Sequence, residues 1–201
     1  MKSKVVRIVG IVVVGFLALI AIIGAFLSPK SHIERSIVVN ARPAAIFQQI
    51  NSFKNLNKWS PWMEQDPNTT ATFEGPESGV GAKMSWQSKE LGNGSQWIIE
   101  SVENKHLKTG MSLGMEGTYT SEINLEPVDG GTKVTWTYDG DVSNTGMATS
   151  IMGKAMGKFM DGILGPDYER GLSKLKTLAE SDPQNPAPAD STIKKYLIVN
   201  S

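Results

Sequence analysis

Residues Met147–Glu180, MATSIMGKAMGKFMDGILGPDYERGLSKLKTLAE, decide the reading of the chain. Apolar side chains recur as Ile151/Met152, Ala155/Met156, Phe159/Met160 and Ile163/Leu164, then as Tyr168, Leu172, Leu175 and Leu178. A spacing of about four residues paints one broad stripe on a helix. Lys154, Lys158, Asp161, Glu169, Arg170, Lys174 and Lys176 fall largely off that stripe, so the segment reads as a long amphipathic helix. Gly165-Pro166 predicts a kink or break, because proline removes a backbone donor and disfavours the helical conformation before it. A long kinked helix needs a curved surface to lie on. Met147, Met152, Met156 and Met160 fall in its first half, and their flexible thioethers suit either ordinary core packing or a ligand-facing wall.

The curved surface is written in the middle of the chain as short alternating runs. Residues 33–39 put Ile33, Arg35, Ile37 and Val39 on one side. Ala71 with Phe73, and Ala82 with Met84 and Trp86, share faces in the same way. A strand from Trp97 to Glu103 follows an Asn93-Gly94 turn. Leu107, Thr109, Met111, Leu113 and Met115 alternate with polar or glycine neighbours, as do Tyr119, Ser121, Ile123 and Leu125. After Asp129-Gly130, Val134, Trp136 and Tyr138 do the same. Each run has one apolar and one wet side, the pattern of an antiparallel sheet with one face solvated. Glycines 110, 114 and 117 permit bending.

Between the first strand and the rest, Asn40 looks like a helix cap, Pro43 stands in a first turn, and Ala45, Ile46, Phe47 and Ile50 form an apolar face. Residues 51–62 read as a second short helix or loop holding Trp59-Ser60-Pro61-Trp62. The fold class is therefore α+β, a helix-grip: a curved antiparallel sheet of about seven strands, two short helices and a long C-terminal helix across its concave face.

Residues 5–27 are apolar apart from Arg7. As a helix they would measure ~34 Å against ~30 Å of hydrocarbon, which predicts a single transmembrane anchor in residues 1–30. A cleaved signal peptide and a buried helix are the competing readings. Lys2, Lys4 and Arg7 against Lys30 and Arg35 favour a cytoplasmic N-terminus with the domain outside, on the periplasmic side of the inner membrane in a Gram-negative cell. Residues 31–180 form the domain. Residues 181–201 open with Pro183, Pro186 and Pro188 as a linker and end in Tyr196-Leu197-Ile198-Val199, an added strand or a loose tail.

Among these pieces, Ile33-Glu34-Arg35-Ser36-Ile37-Val38-Val39-Asn40-Ala41-Arg42-Pro43 and Trp59-Ser60-Pro61-Trp62 resemble the START-like SRPBCC superfamily, in particular its bacterial polyketide cyclase/dehydrase-like branch. Gly79-Val80-Gly81-Ala82 followed by Trp86, Gly131-Thr132-Lys133-Val134-Thr135-Trp136, and Tyr168-Glu169-Arg170-Gly171-Leu172-Ser173-Lys174-Leu175-Lys176 add to the likeness, in that order along the chain. The resemblance implies an apolar cavity between the sheet and the last helix, used in that superfamily for lipids, sterols and polyketides. It implies no single chemistry.

The residues call for no cofactor and no metal. The 201-residue chain has no cysteine, and His32 and His106 lack a ligand-like partner spacing. Formal net charge is zero, which gives no electrostatic reason to expect nucleic acid. Gly110-Met111-Ser112-Leu113-Gly114 fits the hydrolase nucleophile pattern but lies in an alternating strand, with both histidines before it. The expected ligand is a hydrophobic small molecule or lipid, and the candidate cavity residues are Trp59, Trp62, Met84, Trp86, Trp97, Met111, Met115, Tyr119, Trp136, Met152, Met156 and Met160. A cyclase or dehydratase acting on a hydrophobic substrate, and an envelope protein-interaction module, are the alternatives; no protein partner is named by the residues.

Overall fold

The computed structural model describes residues 27–182, together with Arg7, Ile11 and Gly15. Seven strands alternate with helices in the order β1 (Lys30–Val39), α1 (Pro43–Ile50), α2 (Phe53–Trp59), α3 (Trp62–Gln65), β2 (Thr70–Glu74), β3 (Lys83–Gln87), β4 (Gly94–Val102), β5 (His106–Ser112), β6 (Thr118–Val128), β7 (Gly131–Asp141) and α4 (Met147–Glu180). The strands form one antiparallel sheet in the order β1-β7-β6-β5-β4-β3-β2, so the chain starts beside its last strand and every other neighbour is a hairpin partner.

Alternation decides which face each strand buries. Val134, Trp136 and Tyr138 on β7, and Tyr119, Ile123 and Leu125 on β6, point inward, and the facing pair Ile123 and Trp136 sets the register. Asp129-Gly130 is the tight turn between these strands, with Gly130 at φ 83°. Asn93-Gly94 does not turn the β3–β4 hairpin as expected. Gly94 is already paired with Trp86 in the sheet, and an added Cβ would overlap the Trp86 ring; the positive φ belongs to Gly92. A bulge between Ile98 and Glu100 reverses the parity of β4, so that Ile98 is buried while, after the bulge, Ser101 turns inward to Asn51 at 2.8 Å.

Helices α1 and α2 close one end. Ala45, Ile46, Phe47 and Ile50 bury the inner face of α1, and Phe53, Leu56 and Trp59 that of α2. Pro43 occupies the first turn, but the residue flanking it is Arg42. Asn40 instead gives its backbone N–H to Glu180 at the far end of α4.

Of the kink or break expected at Gly165-Pro166, the break does not occur: α4 runs unbroken with Pro166 inside it. Gly165 has another task. Asp161, Gly165 and Glu169 lie four residues apart on one face, and the Arg35 guanidinium of β1 rests where a Cβ on Gly165 would stand, bonding Asp161 at 2.9 Å and Glu169 at 2.8 Å. These bonds, chiefly that to Asp161, raise the Arg35 pKa further and lower that of Asp161. Lys176 reaches the Val38 carbonyl at 2.8 Å, so α4 is fastened along the whole of β1.

The second half of α4 buries Tyr168, Leu172, Leu175 and Ala179 in the core. In the first half Met147, Met152, Met156, Phe159 and Ile163 are exposed and Met160 packs half-buried against the core, while Gly153 and Gly157 let the helix approach Val142 and Ser31. Among the described residues no helix is long and apolar enough to cross a membrane. The transmembrane anchor expected in residues 5–27 lies outside the described residues save Arg7, Ile11, Gly15 and Leu27, as does the tail from residue 183.

Candidate functional site

A cavity of about 230 Å³ lies between the concave face of the sheet and the helices. Met84, Trp86, Gln96, Leu107, Thr109, Met111, Ile123, Trp136 and Tyr138 form its sheet side; Leu56, Trp62, Met63, Leu164 and Tyr168 close it from the helices. Three aromatic rings, Trp62, Trp136 and Tyr168, set one wall, with Trp59 behind it. Tyr168 stacks on Trp136 at 3.9 Å and 27°, while Trp59 and Trp62 meet Trp136 edge-on at 5.2 and 5.7 Å. The Trp136 indole N–H donates to Ser121 Oγ at 2.8 Å, and Ser121 Oγ donates to the Thr137 carbonyl at 2.8 Å. On the opposite side Gln96 Nε2 donates to Thr109 Oγ1 at 2.8 Å. The lining's polar side chains thus largely satisfy one another, and none of its residues is Asp, Glu, Lys, Arg or His.

The ionisable groups of this lining are phenols. Burial pushes Tyr138 up to about 12 and raises Tyr168 further, so both are neutral hydroxyls at ordinary pH. A second cavity, about 430 Å³, lies under the first half of α4, between Met152, Gly153, Met156 and Met160, the start of β1 at Pro29, Lys30 and Ser31, the end of β7, and the β5–β6 loop at Met115 and Glu116. Tyr119, stacked on Tyr138 at 6.4 Å, and the inner edge of Tyr138 complete it.

Of the twelve candidates, Trp62, Met84, Trp86, Met111 and Trp136 line the first cavity, and Met115, Tyr119, Met152, Met156 and Met160 the second. Two line neither. Trp59 is buried behind Trp136, its N–H given to the Gln49 carbonyl at 3.1 Å. Trp97 lies on the outer face over Gly110, because Ile98 beside it takes the inward position. Sequence reasoning passed over Gln96, Thr109, Tyr138 and Tyr168. The alternation that places Trp136 also places Tyr138 two residues on, and that of Met111 places Thr109, so the signal was present and the bias toward large apolar residues hid it.

Ser112 of the hydrolase-like pattern ends β5 on the exposed side. His32 pairs with Asp139 at 2.7 Å on the outer face, and His106 with Asn124 at 2.7 Å. None of these reaches either cavity.

Residues 30–180 match the family described as "Polyketide cyclase / dehydrase and lipid transport". The chain belongs to this family. The fold of this polyketide cyclase/dehydrase family member recurs in solved structures at low identity. A protein of unknown function from Staphylococcus aureus superposes with a TM-score of 0.58 at 15% identity, over 77% of this chain and 96% of that one. The di-domain ARO/CYC StfQ from the steffimycin biosynthetic pathway gives 0.54 at 12%, over 75% of this chain and 51% of that one. A Chromobacterium violaceum protein gives 0.51 at 17%, over 76% and 99%. At such identities the likeness is one of fold. No curated protein matches the sequence.

Proposed function

We propose that this family member binds an uncharged, predominantly apolar small molecule or lipid between its sheet and α4. The observation that carries the reading is the lining of the first cavity: aromatic and methionine side chains, polar groups of which most pair with one another, and no charged residue. An ionised ligand there would lose its water without gaining a counter-charge, so a neutral one is selected. The phenol of Tyr138 offers a hydrogen bond to a ligand oxygen. With no carboxylate or imidazole in the lining, carriage is favoured over a cyclase or dehydratase reaction, which needs a base in contact with substrate.

We further assign the protein to a membrane surface, held by residues 5–27 with the domain outside. The run ends at Leu27, two residues before Pro29, which lines the second cavity; tethering there would bring that cavity close to the bilayer. The full chain should pellet with membranes and resist alkaline carbonate, whereas residues 31–201 should not; equal partition of both would remove the anchor from the account.

Binding is tested with Nile red, an uncharged apolar dye. One equivalent should bind the full chain with enhanced emission, and Met111→Trp, which fills the first cavity, should abolish it while the melting temperature holds. Undiminished emission from the variant would place the dye elsewhere and sink the reading.

A further inference from the structure

Among the described residues Tyr138 alone lines both cavities. It is 2% exposed, and its hydroxyl is sealed from solvent without a hydrogen-bond partner. Ser31 Oγ is its polar neighbour and offsets a little of the rise that burial imposes on its pKa. Both oxygens occupy room that exists because residue 140 is glycine: a Cβ there would stand 2.8 Å from the Tyr138 hydroxyl and 2.7 Å from Ser31 Oγ. Buried hydroxyls nearly always have a partner, and an orphan calls for one from outside the protein. The ring that carries this orphan is the partition between the first space, which has no charged residue, and the second, which is mainly apolar with Lys30 and Glu116 in its lining. The first, about 230 Å³, is smaller than the ~300 to 1,000 Å³ of most small-molecule sites, whereas the two together fall well inside that range.

We propose that the two cavities are halves of one site for a single elongated, uncharged molecule, and that the Tyr138 hydroxyl donates a hydrogen bond to an oxygen of that molecule where it passes between them. The Tyr138 ring turns to admit it, and the hydroxyl exchanges its unpaired state for the ligand oxygen. The first half, walled by Trp86 and Trp136, holds one end rigidly. The second, walled by Met115, Met152 and Met156, accepts chains of varying length, because thioether side chains repack with little strain. This rests on the binding reading above and adds the shape, neutrality and anchoring atom of the ligand.

The test uses the full chain and a homologous series of methyl ketones of about eight to eighteen carbons, scored by displacement of Nile red. In the wild type, affinity should rise about fourfold per added methylene across the series, since each carbon finds apolar surface. In Met156→Trp, and in Met152→Trp at a more exposed position of the same wall, the rise should stop once the first half is full. Tyr138→Phe should weaken the long ketones about fivefold, the worth of one hydrogen bond, without loss of melting temperature. A rise that stops at the same length in the wild type and both tryptophan variants would overturn the joined site and leave single-cavity binding standing. So would undiminished affinity in Tyr138→Phe for its anchoring role. Displacement by no ketone would remove both readings together.

Discussion

The phenol ring of Tyr168 on α4 lies stacked on the indole of Trp136 on β7, centroids 3.9 Å apart, and this contact closes the helix onto the sheet at the edge of the first cavity. Trp136 is held in turn by Ser121 at 2.8 Å and by the edges of Trp59 and Trp62. Tyr168→Ala should cost about 3 to 5 kcal/mol in urea unfolding, as a large aromatic lost from a close-packed core does. Tyr168→Phe, which keeps the stack, should cost under about 1.5 kcal/mol.

Gly171 sits one turn along from Tyr168, where an added Cβ would come within 2.8 Å of the Trp136 ring and 3.2 Å of Pro61. In an exposed helix, glycine to alanine gains about 1 kcal/mol. Here Gly171→Ala should instead lower stability by about 1 to 2 kcal/mol, because neither the stacked indole nor the proline can move freely. A higher urea midpoint for the variant would show the wall to be softer than described.

Buried phenols make the fold sensitive to alkali. Burial raises Tyr138 from near 10 to about 12, so below pH 10 its contribution is fully present. As pH rises from about 10 toward about 12 the unfolded chain ionises first and that contribution is lost. Tyr138 alone accounts for on the order of 3 kcal/mol over this window, and Tyr168, raised further, adds to it. Urea titrations across the window should show the decline, and Tyr138→Phe should blunt it.

Two tryptophans separate the inner from the outer face. Trp86 lines the first cavity, whereas Trp97 covers Gly110 on the opposite side of the sheet. Trp97→Phe should leave Nile red affinity within about twofold, while Trp86→Ala should weaken it by about tenfold or more, the value of a ring's contact area. Equal effects of both would detach dye binding from the concave face.

The α+β architecture was legible because period-two alternation and a long helical stripe depend on local order alone. Trp86, Met84, Met111 and Trp136 fell on the concave face by parity for that reason. The rest required tertiary knowledge. Trp97 is a candidate as a large ring on β4, whereas its neighbours Gln96 and Ile98 take the inward positions. In α4 a four-residue stripe drifts around a helix of 3.6 residues per turn, so Met152 and Met156 did not predict which side would meet the sheet. Gly153 and Gly157 did the packing, and glycine carries no hydropathic signal. Likewise Gly165 read as a breaker, because its purpose, room for Arg35, lies 130 residues away in sequence.

A neutral apolar ligand between sheet and helix should be visible in native mass spectrometry of the full chain purified from cells, followed by organic extraction and identification of what is released. A single stoichiometric adduct of an uncharged, elongated molecule is expected, absent from Met111→Trp. An unliganded mass that stays unshifted after incubation with membrane lipid extract, or an adduct retained by Met111→Trp, would contradict it.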